Sequence, residues 1–217
     1  MSGNRQPGAL VYVVDDDAAV RRGIARLLRA SGRTCREFES AKDYLAVPLE
    51  PCDAVCLVLD IRMPEMSGTE LQTLVRGTAH DVPIIFVTGH GDIPTCVRSL
   101  KAGAVSFLPK PFDEAELLAA IAEALERSVE QKKCRERDAE VLVRFQRLSR
   151  REREVFGGVI CGDLNKTIAH KMGIAEKTVK VHRGRVMAKM EVNSVADLVR
   201  QAAWLERLTE CAAKGGL

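Results

Sequence analysis

Three consecutive acids, Asp15, Asp16 and Asp17, close one apolar run, and a fourth, Asp60, closes another. Thr88 and Lys110 stand at the ends of two more, so acids, a hydroxyl and an amine recur at equivalent positions. Crowded carboxylates repel one another and resist full ionisation unless a cation neutralises them. Ligation by oxygen alone favours a hard divalent ion, magnesium or manganese. Asp17 has a second use, because it precedes a helical pattern and is suited to capping it. No glycine-rich phosphate loop follows the first run, which argues against a nucleotide site.

Groups scattered over a hundred residues act together only if the chain returns them to one place. The runs ALVYVV (9–14), VCLVL (55–59) and PIIFV (83–87) are short, rich in Val and Ile and free of polar alternation, as strands buried on both faces of a parallel sheet require. Helical patterns at 18–30, 68–76, 93–102 and 113–127 lie between and after them, and weaker strands at 34–38 and 105–108 complete five β-α units. This predicts an α/β doubly wound five-stranded parallel sheet. In such sheets the site lies beyond the carboxyl ends of the strands, where the strand order reverses.

The charge divides the chain. Residues 1–126 carry 13 basic and 18 acidic side chains and residues 127–217 carry 20 and 12, so an acidic half precedes a basic half that suits nucleic acid. No Gly or Pro occurs between Phe112 and Phe156, and apolar residues thin out at 130–138, which marks the boundary. That stretch reads either as a semi-rigid helix, with Lys132 and Glu136 spaced for mutual support, or as a frayed linker. We place the first domain at 8–127, a helical linker at 128–147 and the second domain at 148–210. Seven Cys without a CxxC pair or a clustered His ligand support neither a disulfide framework nor a zinc site and are expected to be reduced and mostly buried. The longest apolar run is far short of the roughly 18–20 residues of a membrane span, and the N-terminus lacks the order of a signal peptide, so a cytoplasmic protein with no membrane partner is expected.

Beyond the boundary, Ser149 and Glu152 have the spacing of a capping box, and four helices are expected, near 149–161, 165–172, 175–190 and from 194 past Trp204. The third carries Lys177, Lys180, Arg183, Arg185 and Lys189 against Glu176 alone. Lys177, Lys180 and Arg183 recur at i, i+3, i+6 on the side away from Val179, Val186 and Met190, the layout of a recognition helix in a major groove. Gly184 within it costs roughly 1 kcal/mol relative to Ala and has one use in letting the backbone approach DNA.

With these residues in hand, VVDDD (13–17), LVLDIRMP (57–64), IIFVTGHGD (84–92) and KAGAVSFLPKPF (101–112) resemble the receiver domain of bacterial two-component response regulators. LSRREREVF, LNKTIAHKMGIAEKTVKVHRGRVMAKM and SVADLVR resemble the LuxR-type helix-turn-helix, and the two in this order resemble the FixJ/NarL family. The resemblance implies a flavodoxin-like receiver followed by an all-α four-helix DNA-binding domain. It implies that Asp60 accepts a phosphoryl group from a sensor histidine kinase, and that Asp15, Asp16, Asp60 and the Arg62 carbonyl hold magnesium. Lys110 would offset charge on the transferred group, Thr88 would donate to it, and Thr88 and Phe107 would form the switch. The Lys110-Pro111 bond is a candidate cis peptide. Arg62 and His90 would tune the lifetime of the phosphate, and Val97, Arg98 and Lys101 would belong to the face of a homodimer formed on phosphorylation. Lys177 and Thr178 would meet DNA phosphates, with Lys180, Val181 and Arg183 nearer the bases and Arg185 a further contact. Partners would be the kinase, double-stranded promoter DNA and RNA polymerase, and no catalysis beyond the receiver's own phosphoryl transfer and dephosphorylation is expected. A receiver acting through a protein partner or as a phosphate sink, with its DNA contacts vestigial, is the alternative. An Asp-nucleophile phosphatase would carry a second acid two residues on, where Arg62 stands.

Overall fold

A computed structural model of the chain describes residues 8–50, 52–78, 80–89 and 93–214, with side chains described as far as Leu205. The chain forms two units that divide after Lys133.

In the first unit β1 (Ala9–Val14), β2 (Thr34–Phe38), β3 (Ala54–Asp60), β4 (Ile84–Thr88) and β5 (Ser106–Pro109) form one parallel sheet in the order β2-β1-β3-β4-β5. The helices are α1 (Ala18–Ala30), α2 (Ala41–Leu45), α3 (Gly68–Val75), α4 (Ile93–Lys101) and α5 (Glu114–Gln146). Successive strand residues point to opposite faces, and each face has its own core. Tyr12, Val14, Leu57, Leu59 and Phe86 pack with Tyr44 of α2 and Leu71 and Val75 of α3. Val11, Val13, Cys56, Val58, Ile85 and Val87 pack with Ile24 and Leu28 of α1 and Leu117, Ile121 and Ala124 of α5. All seven residues of β3 are buried, so its register has no polar face on which to slip. Val14 pairs with Leu59, which sets Asp15 and Asp60 side by side where the chain leaves the sheet.

Two expectations need correction here. Lys132 does not pair with Glu136; its Nζ donates to the Cys52 carbonyl at 3.1 Å and lies 3.5 Å from the Asp53 carboxylate, because a tertiary partner outbids an i,i+4 pair worth only a few tenths of a kcal/mol. The cysteines whose side chains are described are not mostly buried: Cys56 is, Cys35, Cys52 and Cys96 are half-buried, and Cys134 and Cys161 are exposed, while the Cys211 side chain lies outside the described residues. The connector is helical, since α5 runs unbroken through the charged stretch, and its residues are shared between the units. The Ser128 hydroxyl accepts from the Val55 N–H at 2.9 Å, while Val141 lies in the second core.

The second unit holds α6 (Arg150–Ile160), α7 (Asn165–Met172), α8 (Glu176–Lys189) and α9 (Val195–Lys214). Val155, Phe156, Ile168, Val179, Val186, Met190, Leu198 and Ala202 form its core together with Val141. Gly173 ends α7 in the left-handed region at φ 65°, which glycine adopts without the penalty of a Cβ. Glu152 completes the capping box of α6 and is buried, and Lys189 at the far end of α8 reaches its carboxylate at 2.6 Å. Hydrogen bonds from the Lys189 ammonium and then the Ser149 N–H hold the Glu152 carboxyl below its ordinary value of 4.5. The folded state therefore binds this proton less readily than the unfolded chain. The stability that follows is present above pH 4.5 and is lost as pH falls through the lowered value. Chemical denaturation from pH 7 downward should show that loss, and Glu152→Gln should flatten it.

Candidate phosphoacceptor site and DNA-binding helix

The acids gather because β1 and β3 are neighbours and both end at the same edge. Asp15 is fully buried and Asp60 nearly so, while Asp16 is exposed, and one carboxylate oxygen from each lies within 4.8 Å of the others. Lys110, which follows β5, spans the pair: its Nζ is 2.6 Å from Asp15 Oδ2 and 2.7 Å from Asp60 Oδ2. Burial raises the Asp15 carboxyl above the ordinary range despite the hydrogen bond from Lys110. Burial also pulls the Lys110 ammonium down, but its hydrogen bonds to Asp15 and Asp60 outweigh this and leave it raised. Two buried carboxylates thus share one ammonium and remain short of positive charge. Three oxygen donors in this state suit a hard divalent cation, and they offer neither nitrogen nor sulfur to a softer one.

The backbone holds Asp60 in place. The Arg62 N–H donates to Asp60 Oδ1 at 3.2 Å, and the Lys110 N–H donates to the Thr88 carbonyl at 2.7 Å, which fixes the lysine to the end of β4. The Lys110-Pro111 peptide is cis. Thr88 is buried at the sheet edge, Phe107 is half-buried against the first core and Arg62 is exposed. His90 lies outside the described residues. Asp17 caps α1, accepting from the Ala19 and Val20 N–H groups at 2.7 and 3.4 Å. On α4, Val97, Arg98 and Lys101 are exposed, and so are Ile93 and Leu100, which no motif marks.

No motif marks Gly68 either. At the start of α3 its N–H donates to the Ile61 carbonyl at 2.9 Å, and a Cβ on it would collide with the Asp60 carbonyl oxygen. Its only trace in the sequence is a glycine after a helix cap, where an ordinary helix former would serve better. Gly68→Ala should force the β3-α3 loop off Asp60 and cost about 1–3 kcal/mol, the usual range for overpacking. A lower urea midpoint at unchanged slope would show it.

On α8, Lys177, Thr178, Lys180, Val181 and Arg185 are exposed. Arg183 departs from the expected face: it is half-buried, and its Nη1 donates to Asn165 Oδ1 at 3.0 Å, tying α8 to the first turn of α7. Three residues of a 3.6-residue helix at i, i+3, i+6 drift by about 60° each step, and here the last has turned inward. Lys189 is likewise occupied with Glu152. The outward face is therefore Lys177, Val181, Gly184 and Ala188, flanked by Lys180 and Arg185. A Cβ at Gly184 would meet nothing within 4 Å, so no contact inside the protein requires a glycine there.

The family of response regulator receiver domains matches residues 11–122, and that of the bacterial regulatory proteins of the luxR family matches residues 146–202. The response regulator protein TodT of Pseudomonas putida F1 is 45% identical over 193 residues, 88% of this chain and 84% of its own. The transcriptional regulatory protein FixJ of Rhizobium meliloti is 41% identical over 192 residues, 88% of this chain and 94% of its own. Among solved structures, the response regulator StyR aligns with a TM-score of 0.72 at 45% identity, covering 90% of this chain and 98% of that one. Full-length FixJ from B. japonicum aligns with a TM-score of 0.55 at 38% identity, covering 92% and 98%.

Proposed function

The chain belongs to the response regulators that join a receiver domain to a LuxR-type DNA-binding domain, and from that membership we propose that it is a cytoplasmic transcription factor switched by phosphorylation of Asp60. The observation that carries this reading is the ammonium of Lys110 held between Asp15 and Asp60, since it is a positive charge already in place beside Asp60, a nearly buried acid that closes β3. An Asp60 oxygen attacks phosphorus on the phosphohistidine of a sensor kinase. The new P–O bond forms as the P–N bond breaks, and the imidazole leaves with the electron pair. Asp15, Asp16, Asp60 and the Arg62 carbonyl are the groups that would hold magnesium, which supplies further positive charge to the transferring oxygens. Lys110 exchanges one of its two carboxylate partners for a phosphoryl oxygen, and Thr88 donates its hydroxyl to another. Phe107 follows Thr88 inward and changes the α4 surface around Val97, Arg98 and Lys101, through which two copies then pair. Arg62 and His90 govern access of water to the phosphoryl group. Hydrolysis at phosphorus restores the carboxylate.

Pairing joins two weak half-site contacts into one avid interaction with promoter DNA. Lys177 and Thr178 face phosphates, and Lys180, Val181 and Arg185 lie close to the bases. The exposure of these five side chains favours DNA binding over the reading in which the contacts are vestigial. RNA polymerase is the partner that such a factor would recruit or block. The test is sequencing of genomic fragments captured by the purified protein with and without beryllofluoride and magnesium, beryllofluoride standing for the phosphoryl group. Peaks sharing a two-fold repeated element and confined to the treated sample are expected. Their absence from both samples would overturn the reading.

A further inference from the structure

The three-acid turn is gripped at its start by a side chain that no proposed step uses, and at its end by the helix that carries that side chain. Asp15 makes its last rung with the sheet through its N–H, which donates to the Phe38 carbonyl at 3.3 Å. Beyond that rung its own carbonyl accepts from Arg21 Nη1 at 2.6 Å, six residues along the chain. At the other end of the turn the first backbone bond of α1, from the Arg21 N–H to the Asp17 carbonyl at 3.0 Å, holds the chain whatever the side chain at 21. Between the two grips, the Asp17 N–H donates to Asp15 Oδ1 at 2.9 Å. Asp16 is thereby held as an exposed residue between two fixed neighbours, with its carboxylate turned toward those of Asp15 and Asp60.

We propose that Arg21 is a positioning residue for the divalent cation: by clamping the Asp15 carbonyl with its guanidinium, where the α1 backbone already holds the Asp17 carbonyl, it fixes the Asp15-Asp16 turn in the geometry that binds the metal. The inference rests on the reading of the acids as a magnesium site. Its sign separates it from plain electrostatics. A guanidinium near three acids repels a cation, so if charge alone mattered its removal would tighten magnesium binding. If positioning dominates, removal loosens it, because ligands that must be ordered on binding cost conformational entropy.

The experiment is calorimetric titration of the unphosphorylated full-length protein with magnesium chloride, which reads affinity without any phosphoryl transfer. Arg21→Met keeps the aliphatic stem on α1 and removes the guanidinium; its Kd is expected to rise about tenfold, the lower end of the usual loss on removing a group that orients a ligand. Arg21→Lys retains a donor and should recover most of that loss. An unchanged or lowered Kd in Arg21→Met overturns the proposal. Should that variant fail to fold by circular dichroism, Arg21→Gln is read by the same two outcomes. A wild-type protein that takes up no magnesium would instead refute the magnesium reading itself, a result distinct from either.

Discussion

Asp60→Asn is expected to take up no phosphoryl group from acetyl phosphate in magnesium, a fall of at least about a hundredfold, as removal of a reaction's nucleophile produces. The amide is close to isosteric with the carboxylate, so Lys110 keeps its hydrogen bond to the oxygen while the long bond from the Arg62 N–H is given up, and one of two buried negative charges disappears. Folding stability without metal should therefore hold or rise, which separates lost chemistry from lost structure. Intact-mass spectrometry after incubation with the donor gives the stoichiometry directly. Retention of the modification at wild-type level would move the nucleophile to another acid, with exposed Asp16 the first to examine.

The first unit was largely legible because its strands announce themselves. β3 is a run of apolar residues between a loop and an acid, and a strand with both faces buried has no other way to be written. The same rule placed Asp15, Asp60, Thr88 and Lys110 at one edge before any geometry was known. α2 left no such signal: it is five residues long, too short for a helical period to repeat, and only Ala41 and Tyr44 of it are buried. Gly68 was invisible for another reason, since its role is to avoid a collision with a residue eight positions earlier, and close approach has no local pattern. Lys132, Arg183 and Lys189 have partners that helical spacing does not reveal. A cation's spacing on a helix says which side it leaves from, whereas its long side chain bends toward whichever oxygen the tertiary structure offers, here Cys52, Asn165 and Glu152.

The double variant Lys180→Ala, Arg185→Ala should lose the largest share of DNA affinity that any two substitutions on α8 can remove. A side chain in good contact with a base edge discriminates by about 1–3 kcal/mol, so the pair together should weaken specific binding by roughly a hundredfold or more. If one contacts a phosphate instead, the log-log dependence of affinity on salt should become shallower by about 0.9. Titration of a captured promoter fragment by fluorescence anisotropy at several salt concentrations measures both quantities. Arg183→Ala should differ in kind, lowering the denaturation midpoint of the second unit by loss of the Asn165 bond. Wild-type affinity in the double variant would remove α8 as the reading element.

The unbroken α5 dictates where this protein can be cut. Leu117, Ile121 and Ala124 belong to the core of the first unit, Val141 to that of the second, and the Phe145 ring stands edge-on to Phe156 with centroids 5.2 Å apart. A C-terminal fragment begun at Ser149, where the capping box invites a start, would leave Val141, Phe145 and Leu148 behind and open a hole in a core of only about a dozen large side chains. Begun near Cys134 it would keep all three. At the other end, a first unit ended before Ser128 would strip the Val55 N–H of its acceptor and Lys132 of its anchor at Cys52, so the fragment worth expressing runs to Lys133.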